Sequence, residues 1–391
     1  MARVWAEIHV DNYAKNLVEL KRHIDPDLPV AAVVKADAYG LGAVESARAL
    51  AAAGCERFAV AGLMEGLELR ESGIRNPIHV LGSAFTEYEL FGLAVETGLT
   101  LTITSVDEAR ILAAAVGPSR RRAQVHLKIE TGMHRFGMQG FDILEAIMEL
   151  TKTGRVDIEG AYTHFHSAND PKGDAVRRQL LALGDVRRWL KNCGVRLKVW
   201  HAAASAGLIF HPATQLDMVR PGIVLHGIRN WSASDTMNLS PVLTMATRVS
   251  AVSTVEAGDT VGYGATHRCA HKSTIATLPA GYADGYHREL SNKGEALIHG
   301  IRCPIVGLVC MDAMMVDVTE LTRMGVPVKP GDIATLIGRD GENEIRLETL
   351  AAMAGVNPYT FSCKLGNRVE KRYLREKGTK NVQTVDFSAV A

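Results

Sequence analysis

Between residues 29 and 225, short apolar runs alternate with longer amphipathic stretches, which restricts the chain to folds built from repeated βα units around a parallel sheet. Eight runs carry the pattern: PVAAVV before Lys35, RFAVA at 57–61, IHVLG at 78–82, LTLTI at 99–103, AQVHLKI at 123–129, VDIEGAYTH at 156–164, LKVWHA at 197–202 and QLDMVR at 215–220. The stretches between them repeat apolar residues at helical spacing, as in Leu50 and Ala53 or Leu63 and Leu67, with charges on the other face. Eight such units fit a closed (β/α)8 barrel better than an open doubly wound sheet, because no GxGxxG turn marks a dinucleotide switch point.

After residue 238 the texture changes. TRVSAVSTV, STIATLPA, CPIVGLVC, MMVDVT and DIATLIG are strand-like runs separated by Gly, Pro, Asn and Asp, the pattern of a β-rich second domain. The expected division is a barrel over 1–238 and a β-rich C-terminal domain over 239–391. The stretch from Gly227 to Ser240, which holds Trp231, reads as the junction.

Composition removes several function classes. Lys and Arg total 44 against 43 Asp and Glu, a net charge of +1 with no charged block, which argues against bulk electrostatic binding of nucleic acid. Glu7, His9 and Asp11 interrupt the opening segment where a signal peptide needs an unbroken apolar core, and no apolar run reaches the roughly 18–20 residues that span a bilayer. Six cysteines without a CxxC pair fit a reducing compartment, so the expectation is a cytoplasmic protein that does not bind membranes.

The ends of the apolar runs are cationic. Lys35 ends the first, Lys128 lies near the end of the fifth with Arg135 after it, His164 ends the sixth, His201 stands at the end of the seventh and Arg220 ends the eighth. A barrel enzyme builds its active site at the C-terminal ends of its strands. Like charges gathered on one rim cost free energy unless an anion offsets them, so a phosphate or carboxylate ligand is expected. Uncharged donors for it stand at Ser205 to Gly207 and at Gly222 with Ile223. His164 and His166 form an HxH pair, but no carboxylate set accompanies it and no metal is expected. His126 and His134 read as polar surface or loop residues. Tyr263 in GDTVGYGATH and Tyr282 in PAGYADGYHR stand beside glycines, which alone assigns them no catalytic role.

At AVVKADAYGLG, residues 32–42, the sequence resembles the lysine motif of bacterial alanine racemases, pyridoxal phosphate enzymes of fold type III that join a (β/α)8 barrel to a β domain. The resemblance continues in the family's order through WAEIHVDNYAKN (5–16), LKIETGMHRFG (127–137), YTHF (162–165), DMVRPGI (217–223), VGYGATH (261–267), GYADGY (281–286), CMD (310–312) and NPYTFSCKLGNRVEKRY (357–373). It implies that Lys35 holds the cofactor covalently and acts as a base on one face of the substrate. Tyr263 would be the base on the other face, contributed by the partner in a homodimer with shared active sites. Racemisation needs two groups, because one base cannot reach both faces of the same carbon.

The same resemblance makes His164 and Arg220 a network behind that tyrosine and Arg220 the partner of the pyridine nitrogen. Arg135 would bind the cofactor's phenolic oxygen and the substrate carboxylate, and Lys128 matches a lysine often carbamylated to hold that arginine. Tyr39, Ser205, Gly222, Ile223 and Tyr359 correspond to phosphate ligands, and Leu81 also falls at the cofactor. Met311, Tyr282 and Tyr359 would narrow the mouth for a small side chain. The implied reaction is interconversion of L- and D-alanine, supplying D-alanine for peptidoglycan. A broader, serine or lysine racemase is the alternative, and a non-catalytic cofactor carrier a more distant one. The chain departs from the family pattern at Leu41, Ala204, His226, His267, Gly366 and Asn367, and Ala204 removes one cofactor contact.

Overall fold

In the computed structural model, which describes residues 2–116, 121–231 and 235–375, the first strand, β1 (Val4–His9), leads into helix α1 (Asp11–Lys21). Eight parallel strands follow in chain order: β2 (Ala31–Val33), β3 (Arg57–Val60), β4 (Ile78–Val80), β5 (Leu99–Ile103), β6 (Ala123–Lys128), β7 (Val156–Tyr162), β8 (Val199–Ala204) and β9 (Met218–Arg220). Each coincides with one of the eight apolar runs, because a parallel strand covered by helices outside and side chains inside is buried on both faces and reads as continuously apolar. Val30 bridges Val219 in parallel, Val33 N–H donates to Pro221 O at 2.8 Å and Val219 N–H to Pro29 O at 3.1 Å, so first and last strands meet and the barrel closes.

The barrel interior is not wholly apolar. His79, Thr102, His126, Lys128, Tyr162, His201 and Arg220, one or two from each of β4 to β9, are all buried. Among the described residues no helix is long and apolar enough to cross a membrane.

The second region is mostly antiparallel and takes a strand from the start of the chain. β10 (Leu243–Arg248) pairs with the strand Ile333–Asp340 on one side and with β1 on the other, and β1 then pairs in parallel with Glu370–Leu374. Residues 4–9 therefore lie in the β domain rather than in the barrel, which corrects the expected assignment of all of 1–238 to the barrel. The first sheet is extended by Glu295–Ile298, Ile301–Pro304 and Asn343–Ile345, and the region also holds a sheet of Ala251–Val255, Ser273–Leu278 and Met314–Asp317 and the two-stranded pair Thr260–Val261 with His267–Arg268.

After β2 the backbone does something composition does not announce. Ala36, Asp37, Ala38 and Tyr39 all have positive φ, between 51° and 58°, so the six-residue helix Lys35–Gly40 contains a left-handed turn. For L-residues this conformation costs roughly 1–2 kcal/mol each, so surrounding contacts must hold it. Glu65 accepts from Ala36 N–H at 2.6 Å, Asp37 accepts from Ala43 N–H at 2.7 Å and from Lys371 Nζ at 2.5 Å, and a Cβ on Gly40 would fall 2.0 Å from Ser362 O. The turn is clamped from both sides, by Glu65 and Ala43 of the barrel and by Lys371 and Ser362 of the β domain. Ala36→Gly is accordingly expected to raise stability by about 1 kcal/mol, since relief at positive φ exceeds the added freedom of the unfolded chain. Urea midpoints of the two proteins measure it, and a lower midpoint for the glycine variant contradicts it.

Candidate active site

The cationic residues expected on one rim do gather at the C-terminal ends of the barrel strands, around the ring of Tyr162. Lys128 Nζ lies 4.3 Å from that ring's centroid, the Arg220 guanidinium 5.0 Å, and His201 stacks on it at 4.7 Å with planes 8° apart. Tyr162 Oη donates to Leu81 O at 2.6 Å, which brings the Leu81 backbone to the same place. Lys128 is only 5% exposed, and burial together with Arg220 and Arg135 drives its amine well below the usual lysine range. A neutral amine in that position is a nucleophile for carbon dioxide, as the expected carbamylation requires.

Lys35 follows β2 and is half-buried. Burial first and the Arg135 charge second lower its amine, so the left-handed turn presents an amine readier to act as nucleophile and base than an exposed lysine. His164 is held neutral by burial and by the field of Arg220, Lys128, Arg135 and Lys35. Arg220 donates from Nη2 to Thr163 O at 2.9 Å and to Ala202 O at 3.0 Å, and from Nη1 to His201 Nδ1 at 2.5 Å. Burial brings it down to about 10, which leaves it charged near neutral pH.

The uncharged donors form a second cluster. Ser205, which opens the helix after β8, accepts from Gly222 N–H at 3.1 Å. A Cβ on Gly222 would fall 2.4 Å from Tyr39 Oη, so only glycine lets the tyrosine hydroxyl lie against that backbone. Ile223 begins the turn after Gly222, and Tyr39 packs on His226 at 4.8 Å and on Tyr359 of the β domain at 6.1 Å.

Three predicted site residues stand apart. Tyr263 lies on a short turn of the β domain, 74% exposed, and Tyr282 and Met311 are also exposed. Tyr282 N–H donates to Cys310 O at 3.0 Å and Ala283 N–H to Met311 O at 3.1 Å, so these two loops are fastened together. Buried Asp284 anchors the fastening through Arg3 at 2.7 Å and Arg368 at 2.9 Å, and Arg368 also reaches Asp312 at 2.6 Å. Arg135 is exposed too, but its charge acts on Lys35, Lys128 and His164.

Two histidines differ from their sequence reading. His126 is not a surface or loop residue but 1% exposed inside the barrel, and His201 is buried below the rim rather than on it. Tyr162, His79 and Glu159 carried no signal as single residues. Only the meeting of six strands brings them to this set. His134 does lie in an exposed loop, and His166 is exposed and bonds Ser167 at 2.6 Å.

Comparison with known proteins gives the same order of parts. Residues 8–230 match the family model described as alanine racemase, N-terminal domain, and residues 242–373 the model for alanine racemase, C-terminal domain. An alanine racemase of Carboxydothermus hydrogenoformans is 41% identical over 382 residues, covering 96% of this chain and 100% of that protein. The structure is similar to that of an alanine racemase from D-cycloserine-producing Streptomyces lavendulae, with a TM-score of 0.90, 32% identity, and 96% and 97% of the two chains covered. It is also similar to the alanine racemase of Bacillus anthracis with bound L-Ala-P, with a TM-score of 0.88, 30% identity and 98% of each chain covered. Matched from end to end in sequence and in fold, the chain belongs to the alanine racemase family.

Proposed function

We propose that the protein interconverts L- and D-alanine with pyridoxal 5'-phosphate, as a homodimer whose two active sites each draw on both subunits. The observation that carries this reading is the Lys35 amine, lowered by burial and by Arg135 and held on a strained turn among Arg220, His164 and Lys128. The residues present fit the cofactor. Ser205, Gly222, Ile223, Tyr39 and Tyr359 offer a phosphate cradle that a side chain at position 222 would fill. Arg220 spends three of its five N–H groups on protein acceptors, which leaves donors for a ring nitrogen.

When bound, pyridoxal phosphate supplies the electron sink that acidifies the substrate's Cα–H. Lys35 takes or returns that proton on one face, and the partner subunit's Tyr263 does so on the other. Arg220, being a guanidinium, cannot accept a proton from the ring nitrogen, and it thereby limits how far charge accumulates on the ring. Arg135, supported by a carbamylated Lys128, orients the substrate carboxylate. Tyr282, Met311 and Tyr359 form the mouth and favour a methyl-sized side chain. The exposure of Tyr263, Tyr282 and Met311 in one chain is what a dimer that covers them would require.

Borohydride reduction of the holoprotein is expected to fix the cofactor on Lys35, and peptide mapping that finds the adduct on another lysine removes the assignment. Incubation with a panel of L-amino acids, each followed to its D product, is expected to give the highest kcat/KM for alanine. A preference for serine, lysine or another larger substrate refutes the alanine reading, and no D product from any of them refutes racemisation.

A further inference from the structure

Behind Arg220 the barrel core holds a line of polar groups that the proposed reaction does not use. His79, His126 and His201 each offer a ring nitrogen, and the three lie within 4.8 Å of one another. All three rings are buried and kept neutral, with burial as the first cause in each.

Their proton positions follow from the partners. Arg220 Nη1 can only donate, so His201 Nδ1 accepts at 2.5 Å, and the proton of the neutral ring sits on Nε2. That Nε2–H donates to His126 Nδ1 at 2.7 Å, which places the His126 proton on Nε2, where it donates to Glu159 Oε2 at 3.0 Å. Arg57 Nη2 donates to the other oxygen of Glu159 at 3.2 Å. From Arg220 to Glu159 every hydrogen bond points the same way.

The same proton positions exclude a metal ion among the three histidines. A cation would need the His201 Nε2 lone pair, and moving its proton to Nδ1 would set two donors face to face against Arg220. His79 stands beside the line: Thr102 donates to Val80 O at 2.7 Å and therefore accepts from His79 Nε2 at 3.0 Å.

A backbone irregularity serves the line. Val125 pairs with Ile158 but His126 with Gly160, so Glu159 is the extra residue of a β-bulge in β7. Bulges re-aim a side chain at the cost of local pairing, and here the residue they re-aim carries the only carboxylate in the line. Arg220's own protein partners are a ring nitrogen and two carbonyls, all neutral.

We infer that Glu159 and His126 are positioning residues for the reaction: Glu159 fixes the tautomers of His126 and His201 and, through them, the orientation of Arg220 at the reacting centre. This rests on the racemase reading, because it is the proposed role of Arg220 that gives the line its use. Hydrogen bonds aligned in a low-dielectric interior strengthen one another, so removing the carboxylate end weakens the far end.

The test has two arms. Nitrogen-15 spectra of histidine-labelled holoprotein are expected to show His126 and His201 as neutral rings protonated on Nε2. Either ring found protonated on Nδ1, or on both nitrogens, overturns the proposal, whatever the protein's substrate is. In kinetics, Glu159→Leu is expected to lower kcat roughly tenfold with KM within about twofold, because the line acts on the transition state rather than on substrate binding.

Glu159→Leu/His126→Leu is expected to be no slower than the slower single variant, since both cut one line. Full kcat in Glu159→Leu, or losses that multiply in the double variant, overturn the proposal. Should Glu159→Leu fail to fold by circular dichroism, the wild-type tautomers decide alone. Wild-type protein without racemase activity refutes the racemase reading and leaves the tautomer result standing.

Discussion

Tyr263→Phe and Lys35→Ala are each expected to lower racemisation by about 10²–10⁴, the usual cost of losing a general base, and an equal mixture of the two inactive proteins is expected to recover activity. The reason lies in where the two residues sit. Lys35 is half-buried at the end of the first barrel strand, whereas Tyr263 is exposed on the β domain, where a second chain can receive it. A heterodimer made from the two variants has one site with both wild-type groups and one with neither. Random reassortment then restores roughly a quarter of wild-type activity, because half the dimers are mixed and half their sites are complete. Tyr263→Phe alone should still exchange the Cα proton of D-alanine with deuterium through Lys35. A mixture that stays inactive after subunit exchange has been verified separately would place the tyrosine's action within its own chain or remove it from the reaction.

Acid is expected to unfold this protein unusually early, and the barrel histidines set the pH. His79, His126 and His201 are held below 6.5 by burial, and burial lowers His226 to about 4. In the unfolded chain these rings titrate near 6.5, so below that pH the unfolded state binds more protons than the folded one. The stability they contribute is complete above about 6.5 and is lost as pH falls toward the folded values. Each ring contributes a slope of up to about 1.4 kcal/mol per pH unit, so these four alone approach about 5 kcal/mol per unit, and His164 and His287, also lowered by burial, act in the same direction. Glu159, lowered to about 2, adds its own acid sensitivity only from its unfolded value near 4.5 downward, so between pH 7.5 and 5 the histidines act without it. Urea unfolding measured from pH 7.5 to 5 reads the slope, and a flat profile over that interval contradicts the account.

The barrel was legible because its strands are buried on both faces and need no alternation, so eight apolar runs mark eight strands. Lys35, Arg220 and the β-domain tyrosines were singled out through motif resemblance, and the gathering of cations at strand ends was visible without it. Other features were not, for identifiable reasons. His79 and His126 sit singly within apolar runs, and nothing local says that β4, β6 and β8 will bring their rings together. The left-handed turn is written in Ala-Asp-Ala-Tyr, residues that ordinarily favour the opposite hand, and it exists only because Glu65, Lys371 and the helix Pro358–Cys363 hold it. β1 carries no strand signal that the sequence reading used, because its partners lie far along the chain and leave no mark near it.

That last pairing bears on how the protein is made. On the ribosome β1 emerges before the barrel strands, yet it must wait for β10 and for Glu370–Leu374 before either of its edges is satisfied. At ordinary elongation rates of about 5–20 residues per second, β10 appears roughly 10–50 s later. During that interval the barrel can close on its own strands while a nascent segment, VWAEIH, trails from it as an open edge available to neighbouring chains. The lone acidic residue in that segment, Glu7, is its one charged guard against premature association, and chaperone demand during synthesis should fall on this short segment more than on the barrel that follows it.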